Sequence, residues 1–210
     1  MLKAFVINLE RRKDRLESFN KEIGNLFDLT IEKAVDYKEL RLTQKLKKRI
    51  NSWNFTYVPH KVLNLVGACL SHLSVWRKIS KMKIPYAFVF EDDCAFMYNI
   101  DFLKTFNNLK LPNEFGIIWL NDKISDVPLN TKYPDENPKI TEVTDMVLFT
   151  AESYIITPFF ASQLINAIEN DLGAVDAHMF GYMKKTKGTV FKITPPIFCQ
   201  KNRNDTDIQI

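Results

Sequence analysis

The sequence predicts an α/β fold: a mostly parallel, twisted sheet flanked by helices in a single domain spanning residues 1–210. Three observations predict it. Short apolar segments alternate with amphipathic ones through Leu120. The apolar segments are unbroken, rich in β-branched and aromatic residues, as in strands covered on both faces. And 210 residues with no linker-like stretch is the length of one domain.

The first strand is read at residues 3–9, followed by an amphipathic helix over 11–23 with Leu16, Phe19 and Ile23 inward and Gly24 at its end. A second strand is expected over 27–35, then a lysine-rich helix over 39–50 and a loop over 53–59. Residues 64–81 carry the clearest helical period, with Val66, Cys69, Leu70, Leu73, Trp76 and Ile79 at three- and four-residue steps. Pro85 delivers a buried strand at 86–90, which stops at Glu91, Asp92 and Asp93. A short helix at 100–109 and a strand at 115–120 follow. The polar, proline-punctuated stretch 121–137 reads as a long loop, and at least one of it and the loop around Trp53 is expected to move or order when ligand binds. A strand at 153–156 leads through Thr157–Pro158, an N-cap and a first-turn proline, into a helix over 159–169. A last strand is expected at 189–193, after which Pro195–Pro196 leads into a polar tail.

Composition narrows the function. With 46% hydrophobic and 26% charged residues the chain is globular, not disordered or fibrous. Only six glycines occur, and neither G-x-x-x-x-G-K nor G-x-G-x-x-G is present, so a glycine-rich phosphate loop is not expected. No apolar run reaches the roughly 20 residues that span a bilayer. The N-terminal apolar stretch is too short, and too soon followed by charge, for a signal peptide. Cys69, Cys94 and Cys199 are widely spaced, which points to reduced thiols, a cytoplasmic setting and no structural zinc. The net charge of +4 gathers at Lys45–Arg49, Arg77–Lys83 and Lys184–Lys187. These clusters read first as solvated faces, and next as weak peripheral attraction to anionic headgroups at the inner membrane face or to a phosphorylated substrate. No aromatic-interleaved basic motif suggests nucleic acid.

The acidic triplet Glu91–Asp92–Asp93 is the most informative spot. It lies at the carboxyl end of a central strand, the edge where open α/β sheets bind ligands. Adjacent carboxylates repel unless something favours their ionised forms together, and Mg²⁺ or Mn²⁺ does so. Asn8, Arg11 and Arg15, at the end of the first strand, face the same edge and can meet phosphate or a nucleobase. Ser71 and His72 lie within the long amphipathic helix, His72 beside its apolar stripe. No G-x-S-x-G elbow supports a serine nucleophile. Asp176, a lone acid among small apolar residues after Gly173, suits both a helix cap and a general base toward a hydroxyl.

At these residues the sequence resembles glycosyltransferase family 25, the lipooligosaccharide-type galactosyl- and glucosyltransferases related to the collagen galactosyltransferases. Phe5–Leu9 with Arg11, Arg12, Asp14 and Arg15 looks like the family's first strand and N-L-x-R-R-x-x-R loop. Ala34–Val35–Asp36 resembles its A-x-D segment, and Gly67–Trp76 its G-C-x-L-S-H-x-x-x-W block. Glu91–Asp92–Asp93 matches its acidic triplet, the local form of D-x-D. Ser153–Pro158, Val175–Asp176 and Pro195–Gln200 with Asp207–Ile208 are similar to its later blocks. Leu65 and Ala68 depart from the pattern, which bears on donor-sugar specificity.

The resemblance implies a GT-A fold and an inverting transfer of a hexose, galactose before glucose, from a UDP-sugar to a glycan hydroxyl, with lipid-linked acceptors among the candidates. It implies Mn²⁺ or Mg²⁺ near Glu91 and Asp93, with Gln200 or His178 as a further contact. Asn8, Arg11, Arg15, Asp36, Ser71, His72 and Asp92 are the expected nucleotide-sugar residues. Asp176 is the expected base, with Glu152, Asp145 and Asp122 in reserve. The alternatives are a catalytically inactive sugar- or nucleotide-binding domain of the same fold and a metal-dependent phosphoesterase; scattered histidines speak against the latter.

Overall fold

The computed structural model describes residues 1–50, 61–121, 131–132, 134, 138–143, 150–183 and 189–201. The expected loops over 53–59 and 121–137 therefore lie almost wholly outside the described residues, as does the Lys184–Lys187 cluster.

A seven-stranded sheet organises the chain. In chain order its strands are β1 (Leu2–Asn8), β2 (Phe27–Lys33), β3 (Ala87–Glu91), β6 (Ile117–Trp119), β8 (Lys139–Glu142), β9 (Ser153–Ile156) and β10 (Val190–Thr194). Two small ribbons accompany it: β4 (Cys94–Phe96) with β11 (Phe198–Gln200), and β5 (Tyr98–Asn99) with β7 (Thr131–Lys132). The main sheet has the spatial order β2-β1-β3-β9-β6-β10-β8. β2, β1, β3, β6 and β10 run one way; β9 and β8 run against them.

The helices are α1 (Lys13–Glu22), the short α2 (Gln44–Lys47), α3 (Val62–Ile79), α4 (Phe102–Asn108), α5 (Pro158–Ile168) and α6 (Val175–Met183). They cover both faces of the sheet. One core joins Phe5, Ile7, Val89, Trp119, Tyr154 and Ile156 to the buried stripe of α3 and to α5 and α6. The other joins Ala4, Val6, Phe88, Phe90, Ile118 and Ile155 to Phe19 of α1 and to Phe102 and Phe106 of α4. Successive residues of one strand thus serve opposite cores, which is why these strands read as continuous apolar runs. β2 is different: it is an edge strand with Ile31 52% exposed, and only Phe27 and Glu32 are buried.

Two expectations are corrected in this frame. The lysine-rich helix over 39–50 is broken into a 3₁₀ turn (Tyr37–Glu39) and the single turn of α2, restarted where Thr43 Oγ1 accepts from Leu46 N–H at 3.2 Å. Lys45, Lys47 and Lys48 crowd one short segment with few apolar residues to bury, so a longer helix has little to hold it. The polar tail after Pro196 is in part a strand: β11 pairs antiparallel with β4. At α5 the sequence signal holds: Thr157 Oγ1 caps the helix at Phe160 N–H, with Pro158 in the first turn.

Phe198 ties β11 to the core. It is fully buried, with ring centroids 5.3 Å from Phe90, 4.9 Å from Phe96 and 5.6 Å from Phe102. Phe198→Ala is expected to cost about 3–5 kcal/mol, read from urea unfolding. A loss below about 1 kcal/mol would show that β11 is not anchored this way.

Candidate functional site

One edge of the sheet gathers the chemistry. β1, β3 and β6 deliver their carboxyl ends there, bringing Asn8, the Glu91–Asp92–Asp93 turn and Asn121. Because β9 runs the opposite way, its beginning reaches the same edge. Glu152, the residue before it, stands beside Glu91, whose N–H donates to the Glu152 carbonyl at 2.9 Å. Four carboxyl groups, Glu91, Asp92, Asp93 and Glu152, are thereby crowded together; Asp92, Asp93 and Glu152 are buried and Glu91 is half-buried.

Burial and mutual repulsion shift them. Burial, then the charges of Asp93, Asp92 and Asp176, pushes the Glu91 carboxyl up to about 8. Burial and Asp93 raise Asp92 to about 6, and burial raises Glu152 to about 7 against a hydrogen bond from Thr150. Several groups hold the turn in place. Asn8 Nδ2 donates to Asp92 Oδ2 at 2.6 Å and to the Arg12 carbonyl at 2.9 Å. Arg15 Nη1 lies 3.2 Å from Asp92 Oδ1 and 3.6 Å from Asp93 Oδ2. From β11, Gln200 Nε2 donates to Asp93 Oδ2 at 2.9 Å, and Lys201 N–H donates to the Asp93 carbonyl at 2.7 Å.

Beside the cluster a cavity of about 80 Å³ opens between the ends of β1 and β2 and helix α3, lined by Val35, Tyr37, Asn64, Ser71, His72 and Glu91 among others. Gly67 lets α3 approach closely: a Cβ there would sit 2.8 Å from the Val35 carbonyl. Ser71 Oγ bridges the two elements, accepting from Val35 N–H and donating to the Gly67 carbonyl, each at 2.8 Å. That hydroxyl shapes the wall. Arg11 Nε meets Asp36 Oδ2 at 2.7 Å, and Asp36 Oδ1 also accepts from Lys38 N–H at 3.0 Å.

His72 is buried rather than at the border of the apolar stripe, because α3 is covered on the sheet side and by α5 and α6. Its Nε2 lies 3.1 Å from Glu91 Oε1 and its Nδ1 2.8 Å from the Tyr154 hydroxyl. Burial drives its pKa down to about 3, so the ring is neutral. Asp176 occupies the first turn of α6, half-buried, with Oδ1 accepting from Ala177 N–H at 2.8 Å. Its charge acts on both Glu91 and His72. His178 instead faces Asp171 at 3.8 Å. Asp122 and Asp145 lie outside the described residues.

The donor set fits a hard divalent cation in charge and atom type. The oxygens are carboxylate, their crowding favours the neutral forms, and Asp93 Oδ1 is buried without a hydrogen-bond partner among the described residues. Among the described residues no three His, Cys, Asp or Glu side chains are grouped closely enough to hold an ion by themselves. Mg²⁺-type sites commonly use one or two carboxylates and complete the shell with substrate phosphate and water.

Sequence reading missed Tyr154 and Trp76 as neighbours of the site. Both stand in motif blocks, yet their convergence depends on the direction of β9, which no local pattern gives.

Raised carboxyl pKa values carry a stability signature. Between the unfolded value near 4 and the folded values of about 6 to 8, these three carboxyls bind more protons in the folded chain than in the unfolded one. Together they outweigh the opposing His72 and His178, whose lowered pKa values act below about 6.5. Stability is then lost as pH rises through the folded values. In metal-free buffer the urea midpoint is expected to climb as pH falls from about 8.5 to 5. A midpoint that is flat or falls over that window would contradict the crowding.

Comparison with known proteins agrees with this geometry. The profile of glycosyltransferase family 25 (LPS biosynthesis protein) matches residues 1–179. Procollagen galactosyltransferase 1-A of Xenopus laevis is 29% identical over 172 residues, 78% of this chain and 28% of the relative. Human procollagen galactosyltransferase 2 is 30% identical over 175 residues, 78% of this chain and 27% of the relative. The chain thus spans less than a third of the length of these relatives. Among solved structures, a mutant Drosophila β-1,4-galactosyltransferase 7, in complex with manganese, UDP-Gal and xylobiose, aligns with a TM-score of 0.50 at 12% identity, covering all of this chain and 76% of its own. That likeness gives the fold, a GT-A arrangement of sheet and flanking helices. The chain belongs to glycosyltransferase family 25.

Proposed function

We propose that this chain is an inverting, divalent-metal-dependent glycosyltransferase moving a hexose, galactose first, from a UDP-sugar to a hydroxyl of a glycan acceptor. The observation that carries the reading is the carboxylate cluster at the sheet edge, beside the cavity under α3. The names of the relatives, and the UDP-Gal and manganese of the structural neighbour, support the donor and the metal.

In this reading Glu91 and Asp93 hold Mn²⁺ or Mg²⁺, with Gln200 setting the angle of Asp93 through its amide. The bound ion supplies charge neutralisation for the diphosphate leaving group. Asn8 and Arg15 fix Asp92 for the ribose or sugar, and Arg11 with Asp36 frames the nucleotide side. Asp176 accepts the proton of the attacking acceptor hydroxyl. It is half-buried rather than sealed, so an acceptor can reach it, and its Oδ1 accepts from Ala177 N–H while the carboxylate keeps lone pairs for a proton. Glu152 is the second candidate, favoured by a pKa of about 7, near that of an effective base.

Two results test this. UDP should raise the melting temperature of the chain markedly only with Mn²⁺ or Mg²⁺, and Asp93→Asn should abolish the metal-dependent part. Full stabilisation in that variant would contradict the metal assignment. Asp176→Asn should lower transfer by roughly 10²-fold or more with UDP binding little changed. Transfer within a few-fold of the parent, together with a large loss in Glu152→Gln, would move the base to Glu152.

A further inference from the structure

Behind Glu91 lies a buried polar chain that the reaction itself does not require. Trp76 and His72 stand one turn apart on α3, and Tyr154 lies on β9. All three are at most 1% exposed. Trp76 Nε1 is 2.8 Å from the Tyr154 hydroxyl, that hydroxyl is 2.8 Å from His72 Nδ1, and His72 Nε2 is 3.1 Å from Glu91 Oε1. Strand alternation builds it: Tyr154 pairs with Val89, and Glu91, two residues on, points to the same α3-facing side.

The direction of the chain follows from donor counts. An indole nitrogen only donates, so the Tyr154 oxygen accepts from Trp76. Among the described residues the partner open to its own hydrogen is His72 Nδ1, so the arrangement that pairs that hydrogen has Nδ1 accepting. A neutral imidazole carries one N–H, which is therefore on Nε2 and aimed at Glu91. We propose that Trp76, Tyr154 and His72 form a one-way hydrogen-bond relay that positions Glu91, holding its Oε1 from behind and leaving its other oxygen for a ligand. In this role the three act through Glu91 and are positioning residues. Partners of this kind around a ligating carboxylate typically matter for metal affinity. The inference rests on the reading of Glu91 as a metal-side residue.

The test has two arms on the whole chain. The first is ¹⁵N-histidine NMR of the unsubstituted protein, with His72 assigned by the signal missing in His72→Gln. The Nε2–H tautomer is expected, and an Nδ1–H or cationic ring overturns the relay. The second arm measures Mn²⁺ affinity in the presence of UDP. Tyr154→Phe keeps the ring and removes the hydroxyl, so the tautomer should change and affinity should fall roughly 10- to 100-fold. His72→Gln, which retains an N–H for Glu91, should lose less than His72→Leu. Unchanged affinity and tautomer in Tyr154→Phe overturns the proposal, as does equal loss in the two His72 variants. If the Nε2–H tautomer is present and lost in Tyr154→Phe while no variant or parent binds Mn²⁺, the relay is supported and the metal-dependent reading fails instead.

Discussion

The structure turns on the mutual repulsion of carboxylates in a place where water cannot fully screen them. Glu91, Asp92, Asp93 and Glu152 meet at one sheet edge. Burying ionised groups is costly unless they are paired or hydrogen-bonded. The neighbours of this cluster are chosen accordingly. Asn8 and Arg15 come from the first strand and its helix, Gln200 from the last strand and Lys201 from just after it, and His72 from the central helix. Segments far apart in the chain converge on the same three-residue turn, so the arrangement of the cluster and the closure of the fold are one problem.

Strand direction supplies the rest. Pleating sends Glu91 toward α3 and the cavity side, while the Asp92–Asp93 turn leads into β4. An antiparallel β9, wedged between β3 and β6, does two things a parallel strand would not: its first residues reach the ligand edge, and Tyr154 comes to lie opposite Val89, within reach of His72. The polar chain from Trp76 to Glu91 is then satisfied at every step inside an otherwise apolar core. A buried network of that kind rigidifies what it touches only when each member has its partner.

Much of this was legible in the sequence. Continuous apolar runs such as Phe5–Val6–Ile7 and Phe88–Val89–Phe90 announce strands covered twice, and Thr157–Pro158 announces α5. Glu91–Asp92–Asp93 after a buried strand points to the ligand edge, and the order of blocks points to the family. Three things were not legible. The lysine-rich segment has a helical count of apolar residues but too much like charge and too little to bury. The burial of His72 depends on α5 and α6 packing over α3, which a single helix period does not report. The position of Glu152 depends on β9 running backward, a tertiary choice with no local signature. Asp176 falls between: in sequence it reads as a helix cap or a base, and it lies in the first turn of α6 with its charge acting on Glu91.

The central claim is that this carboxylate edge is a cation site completed by the donor diphosphate. Anomalous diffraction at the manganese edge, from crystals grown with UDP and Mn²⁺, tests it most directly. The account predicts one strong peak against Asp93 and Glu91 with diphosphate oxygens on its other side. UDP bound with no peak at this turn, or a peak held by other residues, would contradict it.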